Sequence, residues 1–288
     1  MSPQNLVAPV FVVLWSTGFI GAKLGLPYAE PMTFLALRFG MVAVLIWAWV
    51  ILRNTRRLTW AQMREQVLIG ALVHFLYLGG VFVAISWGTE AGVSALIVGL
   101  QPVLMAILAL VILGERLNPM QWTGMALGVA GVVLVVARKL GAGLGDLDGA
   151  LICLFGLLGI AIGAIWQKRA SENTPMLAGN AVQFASASAC CALVAAFTET
   201  GQIAWEPEFI FALVWLIVVL SLGAITILYI LIKRGAASQV GSLFFLVPPA
   251  TAVIAWFLFG ERMGPVEILG MAMAAAGVFL VNRTRQGA

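Results

Sequence analysis

His74 is the only histidine in the chain, and Tyr77 follows it by three residues. On a helix two such side chains share a face. Imidazole can bind a carboxylate and carry a proton near neutral pH, so the pair is a candidate for contact with a small polar solute. The plainer reading of His74 is a hydrogen bond to a neighbouring helix. Lys23 and Arg38 are two further cations in apolar surroundings, with Glu30 between them as a candidate partner of either. Lys23 lies near the end of its apolar segment, where a long side chain can snorkel to an interface, and both cations also fit structural roles. Trp15, Trp166 and Trp256, with Tyr77 and Tyr229, offer flat surfaces to an aromatic ligand; packing against lipid or other helices is the alternative. Ser16, Asn180, Gln183, Thr226 and Gln239 can hold an amino or carboxyl group.

Gln101-Pro102 and Pro248-Pro249 interrupt apolar segments. A proline inside a helix removes a backbone donor and crowds the preceding turn, which frees a carbonyl for a ligand and creates a hinge. Gly79, Gly80 and Gly223 are further candidate hinges, although glycine in membrane helices also serves close packing.

Other chemistries find little support. Cys153, Cys190 and Cys191 have no metal-ligand spacing, and their odd number gives no disulfide framework. Gly143-Leu144-Gly145-Asp146 spells a motif of intramembrane aspartyl proteases, but no second aspartate lies inside an apolar span to share one bond with it. There is no HExxH or GxSxG string. The reading is therefore not an enzyme, an intramembrane hydrolase being the remote alternative, and no metal or cofactor is expected.

The elements that must position these residues follow from composition. Of 288 residues 62% are hydrophobic and only 10% charged, and mean hydropathy is +1.05, so too little polar surface exists to cover a soluble globule. A span needs about 20 apolar residues. Breaks at charges, Pro and Gly predict ten, at 5–26, 32–52, 66–87, 92–113, 120–138, 148–168, 177–198, 209–232, 238–259 and 265–282. The first is not read as a signal peptide, since it lacks a basic region before it and a small-residue cleavage site after it. Trp47, Trp49, Trp60, Trp122 and Trp205 fall near span ends, as an aromatic belt requires.

The stretch Ala91 to Val135 recurs as Ala237 to Val281, about 146 residues on. The copies match at Pro102 and Pro248, at Gly114-Glu115-Arg116 and Gly260-Glu261-Arg262, at Pro119 and Pro265, at Gly124-Met125-Ala126 and Gly270-Met271-Ala272, and at Gly131-Val132 and Gly277-Val278. The expected fold is an all-α integral membrane protein of ten transmembrane helices in two five-helix repeats, 1–144 and 145–288. Five spans per half invert the second repeat, and inverted repeats supply two nearly equivalent arrangements around a midplane site, the basis of alternating access.

Eleven of the sixteen Lys and Arg fall in loops on the side of the termini, from Arg53, Arg56 and Arg57 to Arg283 and Arg285, against Arg138, Lys139 and Arg262 opposite. The positive-inside rule then places both termini in the cytoplasm. A net charge of +4, dispersed along the chain, does not suggest nucleic acid.

The paired hairpins, together with the Trp15-Ser16-Thr17-Gly18…Lys23 run, resemble the EamA-type transporters of the drug/metabolite transporter superfamily over nearly the whole chain. Among these the chain is most similar to exporters of aromatic amino acids. The resemblance implies export of small metabolites, commonly amino acids, across the inner membrane, through a cavity lined by the third, fourth, eighth and ninth helices; a multidrug exporter is the alternative. Small multidrug antiporters of the superfamily use a first-helix carboxylate, and no acid precedes Glu30, so a neutral or zwitterionic substrate is favoured. Candidate substrate contacts are His74, Tyr77, Trp15, Lys23, Gln101 and Trp166. Candidate hinges are Gly79, Gly80, Pro102, Gly223, Pro248 and Pro249. Expected partners are the solute, the lipid bilayer and, through His74, protons, with facilitation equally open. One chain holds both halves and is expected to work as a monomer.

Overall fold

The computed structural model describes residues 3–55, 57–101, 103–104, 107–108, 111, 118–141, 147–171, 174–224, 227, 246–261 and 264–283. The described elements are helical, apart from one isolated bridge between Ala29 and Ile203. They are α1 (Pro3–Gly25), α2 (Pro31–Leu52), α3 (Trp60–Ser86), α4 (Ala91–Val98), α5 (Pro119–Gly141), α6 (Leu147–Ser171), α7 (Met176–Thr198), α8 (Pro207–Ala224), α9 (Val247–Phe259) and α10 (Pro265–Arg283). Six of them, α2, α3, α5, α6, α7 and α8, are long and apolar enough to cross a membrane. In lipid the helix is favoured because it satisfies every backbone group within its own segment.

Helix starts follow local chemistry. Pro31 and Pro207 open α2 and α8 in the first turn, where a missing N–H is no loss. At α3 a reciprocal box forms: Thr59 N–H donates to Gln62 Oε1 at 2.9 Å and Gln62 N–H to Thr59 Oγ1 at 3.3 Å. Asn118 and Gln121 repeat the device before α5, at 2.9 Å in both directions. Because its cap lies at Thr59, α3 begins six residues before the expected start at 66 and takes Arg64 and Glu65 into its first turns. Gly260 ends α9 in the left-handed region, at φ +68°.

Two of these helices carry π-helical segments, Ala71–Leu76 in α3 and Trp215–Ala224 in α8. The 146-residue spacing maps 71–76 onto 217–222, inside the second segment. Nothing in the hydrophobic pattern announced either one.

The chain forms two compact units, each drawing on both halves of the sequence: residues 1–20, 87–151 and 223–288 in one, 21–86 and 152–222 in the other. In the first unit α5 packs along α10 and α4 along α9. Gly131 abuts the backbone of Gly270 and Ala274, while Gly277 abuts that of Gly124 and Gly128, so α5 and α10 run antiparallel through glycines. Such closeness maximises the van der Waals contact that holds helices together in lipid. Gly92 faces Ala252 and Gly99 faces Pro248 in the same antiparallel sense.

In the second unit α7 packs against α2 and α3. Ser188 Oγ donates to Ala36 O at 2.8 Å, and Ser186 Oγ to Val67 O at 3.2 Å. The Glu199 carboxylate, just past the end of α7, accepts from the N–H groups of Met32 and Thr33, each at 2.7 Å, and so caps the start of α2. Helices α2 and α7 are therefore antiparallel. Phe34 centres the core of this unit, with ring centroids 5.4 Å from Phe82 and 5.0 Å from Phe209.

Candidate functional site

The second unit contains a buried polar cluster walled by phenylalanines. His74 lies in the π segment of α3 and stacks on Phe184 of α7 at 4.3 Å and 19°, with Phe39 of α2 at 5.8 Å. The side chain of Gln183, next to Phe184 on α7, is its polar neighbour. Gln183 Nε2 donates to Gln66 Oε1 at 2.6 Å and to Gln167 Oε1 at 2.7 Å, tying α3, α6 and α7 together. Three amides thus form one network beside the imidazole. In a low-dielectric interior such a network fixes side-chain positions, since breaking any link orphans a polar group.

Arg38 of α2 is 5% exposed and borders this cluster. Its Nη2 donates to Ser221 Oγ at 3.2 Å, and its guanidinium carbon stands 5.5 Å from the centre of the Phe39 ring. Ser221 Oγ in turn donates to Leu216 O at 3.1 Å, five residues back within the π segment of α8, which turns its lone pairs toward Arg38. The Arg38 charge bears on both His74 and Tyr77. Its Nε has no partner, and among the described residues no carboxylate pairs with it.

Glu30, expected as a partner of Lys23 or Arg38, lies elsewhere. At the N-cap of α2 it accepts from both N–H and Oγ1 of Thr200 at 2.7 Å, while Arg38 sits two turns into the helix. These hydrogen bonds, the Thr200 hydroxyl first, hold its carboxyl below the usual 4.5.

Of the predicted contacts, His74 and Tyr77 are both buried beside Arg38. The segment that carries His74 is π-helical and runs to Leu76, so the turn that leads to Tyr77 departs from the α-helical spacing on which the pair was read. Trp15 is half-buried and tilted 41° against Phe11, in the first unit. Lys23 is half-buried in the last turn of α1, Gln101 is half-buried, and Trp166 is exposed on α6.

Among the predicted hinges, Gly80 closes on Ile152 O and Gly79 on the Met32 side chain, so both are close-packing positions in this structure. Gly223 falls in the π segment of α8. Pro248 and Pro249 occupy the first turn of α9, where a proline breaks no hydrogen bond. Pro102 lies outside the described residues, as do Gly114-Glu115-Arg116, Gly143-Leu144-Gly145-Asp146, Thr226, Tyr229 and Gln239.

Sequence reasoning missed Gln66 and Gln167. Gln66 sits where the predicted span begins, and the capping box at Thr59 was the one signal that would have placed it deep inside α3. It also missed Glu261, which the sequence singled out only within the repeated Gly-Glu-Arg string: Glu261 is 8% exposed, and its carboxylate accepts from Ala91 N–H at 3.2 Å at the start of α4.

The sequence matches the EamA-like transporter family over residues 4–137 and again over 147–283. This chain belongs to the EamA-like transporter family. It is 26% identical over 280 residues to the uncharacterized transporter YvbV of Bacillus subtilis, covering 96% of this chain and 90% of that protein. It is 25% identical over 288 residues to a probable amino-acid metabolite efflux pump of Salmonella typhimurium, covering 96% and 94%. A solved crystal structure superposes with a TM-score of 0.67 at 19% identity, over 100% of this chain and 99% of that one, which speaks for the fold. As an EamA-like protein the chain is a multi-pass membrane transporter, and the family points away from an enzyme.

Proposed function

We propose that this protein exports small amino-acid-like metabolites across the inner membrane by alternating access, with both termini cytoplasmic and one chain sufficient for transport. The observation that carries the mechanism is the antiparallel packing of helices that the sequence duplication relates. Helices α5 and α10 are repeat mates, and the Gly131–Gly270 contact has its mate in Gly277–Gly124. Helix α2 pairs with α7 in the same antiparallel way. Mates that pack head to tail are what an inverted repeat of two five-helix halves, 1–144 and 145–288, requires. Such a repeat can exchange the roles of its halves and so open to either side.

The substrate class is supported by the cluster of His74, Gln183 and Arg38 with the Phe39 and Phe184 rings, which offers hydrogen bonds, one positive charge and aromatic faces. The relatives named as an amino-acid metabolite efflux pump and as a probable terminal-alkyne amino-acid exporter of Streptantibioticus cattleyicolor favour the same class.

The test is uptake of labelled phenylalanine, threonine and methionine into proteoliposomes, with and without a pH gradient, for the native protein and His74→Ala. Saturable amino-acid flux that falls in the variant supports the reading, and its response to the gradient separates proton coupling from facilitation. Flux of a cationic dye alone would move the assignment to a multidrug exporter.

A further inference from the structure

We propose that Arg38 is the anion-binding residue of the transport site, and that the solute it receives carries a single carboxylate. The inference rests on the carrier reading above and names the group by which that carrier recognises its cargo.

Arg38 lies within α2, a helix long and apolar enough to span the bilayer, and is 5% exposed. A guanidinium is charged at any working pH and presents five N–H donors in a planar fork. Here one donor reaches Ser221, one face of the group lies over Phe39, and Nε has no partner. Arginines within membrane spans face the bundle interior and pair, or mark the path of a substrate. Arg38 has the location without a paired carboxylate among the described residues. The groups that could quench it are engaged elsewhere: Glu30 with Thr200, Glu199 with the start of α2, and the Gln183 amide with Gln66 and Gln167.

The geometry fits a receiving site better than a packing role. Ser221 holds one end of the fork because the π turn of α8 aims its lone pairs there. Nε, buried and without a partner, is the donor that a bidentate carboxylate would engage, the arrangement in which a guanidinium binds a carboxylate most strongly. Phe39 beside Arg38, and Phe184 stacked on His74, are fully buried and keep the surroundings of the cation apolar, which strengthens its attraction for an anion. One cation matches one carboxylate in charge, whereas a phosphate dianion would bring a second negative charge into the same apolar surroundings without a counter-ion.

The experiment is competition for labelled phenylalanine uptake in proteoliposomes by 3-phenylpropionate, which keeps the carboxylate, and by phenethylamine, which keeps only the amine. It is run on the native protein, Arg38→Lys and Arg38→Met. For the native protein 3-phenylpropionate should compete and phenethylamine should not. Arg38→Met should lower phenylalanine uptake about tenfold or more, the usual scale for losing a hydrogen bond to a charged group, and Arg38→Lys should retain part of it. Equal competition by the two probes, or native uptake by Arg38→Met, overturns the proposal and leaves the carrier reading standing.

If the native protein takes up no phenylalanine, the carrier reading fails as stated, and thermal melting of the purified protein with each probe decides the Arg38 claim separately. Stabilisation by 3-phenylpropionate alone, absent in Arg38→Met, supports it; no stabilisation overturns it. Replacing a buried unpaired ion by an apolar side chain of similar length is not expected to impair folding. Should the methionine variant nevertheless misfold, Arg38→Lys keeps the charge and loses the fork, and carries the same comparison.

Discussion

Gly131 of α5 lies against the backbone of Gly270 in α10, and the residues that the duplication makes equivalent, Gly277 and Gly124, meet in the same way. A contact in which i meets j while the mate of i meets the mate of j is self-complementary, as at a two-fold interface between identical subunits. Here the two partners are parts of one chain. The duplicated sequence explains why both contacts use glycine: a side chain at either one would clash with backbone rather than with a movable side chain.

Gly131→Val and Gly277→Val should therefore destabilise the protein by similar amounts, about 1–3 kcal/mol each, the usual range for overpacking. Gly128→Ala should be neutral or stabilising by up to about 1 kcal/mol, because its new Cβ would make ordinary contacts at 3.4 Å with Leu100 and Val103. Thermal unfolding in detergent measures all three. A Gly131→Val variant that melts with the native protein would mean that α5 and α10 do not approach this closely.

The glutamine network makes a second prediction. Gln183 donates to both Gln66 and Gln167, whereas Gln66 has one described link to it. Gln183→Leu should cost more than Gln66→Leu. In the double-mutant cycle the pair should couple by about 0.6 kcal/mol, and by no more than about 1.7, the range found for hydrogen bonds between membrane helices. Strict additivity would remove this bond from the account of the site.

Much of the scaffold was readable because apolar runs end where proline, charge or a capping pair forces them to. Helix α7 was expected at 177–198 and runs Met176–Thr198; α2 was expected at 32–52 and runs Pro31–Leu52. The site was less legible. His74 stands out by type, but the π turns that orient it and Ser221 leave composition unchanged. The role of Arg38 depends on a serine 183 residues away and on carboxylates being committed elsewhere, a tertiary fact that no local pattern encodes. Glu30 shows the converse: proximity in sequence suggested Lys23 or Arg38, and the fold gave it Thr200.

That contact predicts a response to acid. The folded pKa of Glu30 is depressed below the usual 4.5, chiefly by the Thr200 hydroxyl, so the clip between the start of α2 and the segment after α7 is fully favourable above about pH 4.5 and is lost as pH falls through the lower folded value. Thiol labelling of a Gln202→Cys variant, with rates corrected for the falling thiolate fraction, should accelerate in that acid window. Adding Thr200→Val removes one donor and should move the acceleration to higher pH, while Glu30→Gln should abolish the pH dependence. An unchanged profile in the Glu30→Gln background would place the titrating group elsewhere.

The same segment tests the orientation in the membrane. Helices α2 and α7 are antiparallel, and Glu199 sits beside Met32 and Thr33, so the chain near residue 200 lies at the start of α2 and Arg57 lies beyond its end. Twenty-two helical residues at about 1.5 Å each span about 33 Å, close to the hydrocarbon thickness of a bilayer. In the proposed topology the arginines around 53–64 place that end in the cytoplasm. In intact cells a membrane-impermeant maleimide should label Gln202→Cys and not Arg57→Cys, and in inverted vesicles the reverse, each read against the native cysteines alone. The opposite pattern would invert the topology. Labelling of both from one side would mean that α2 does not cross, and the antiparallel pairing on which alternating access is argued would lose its membrane frame.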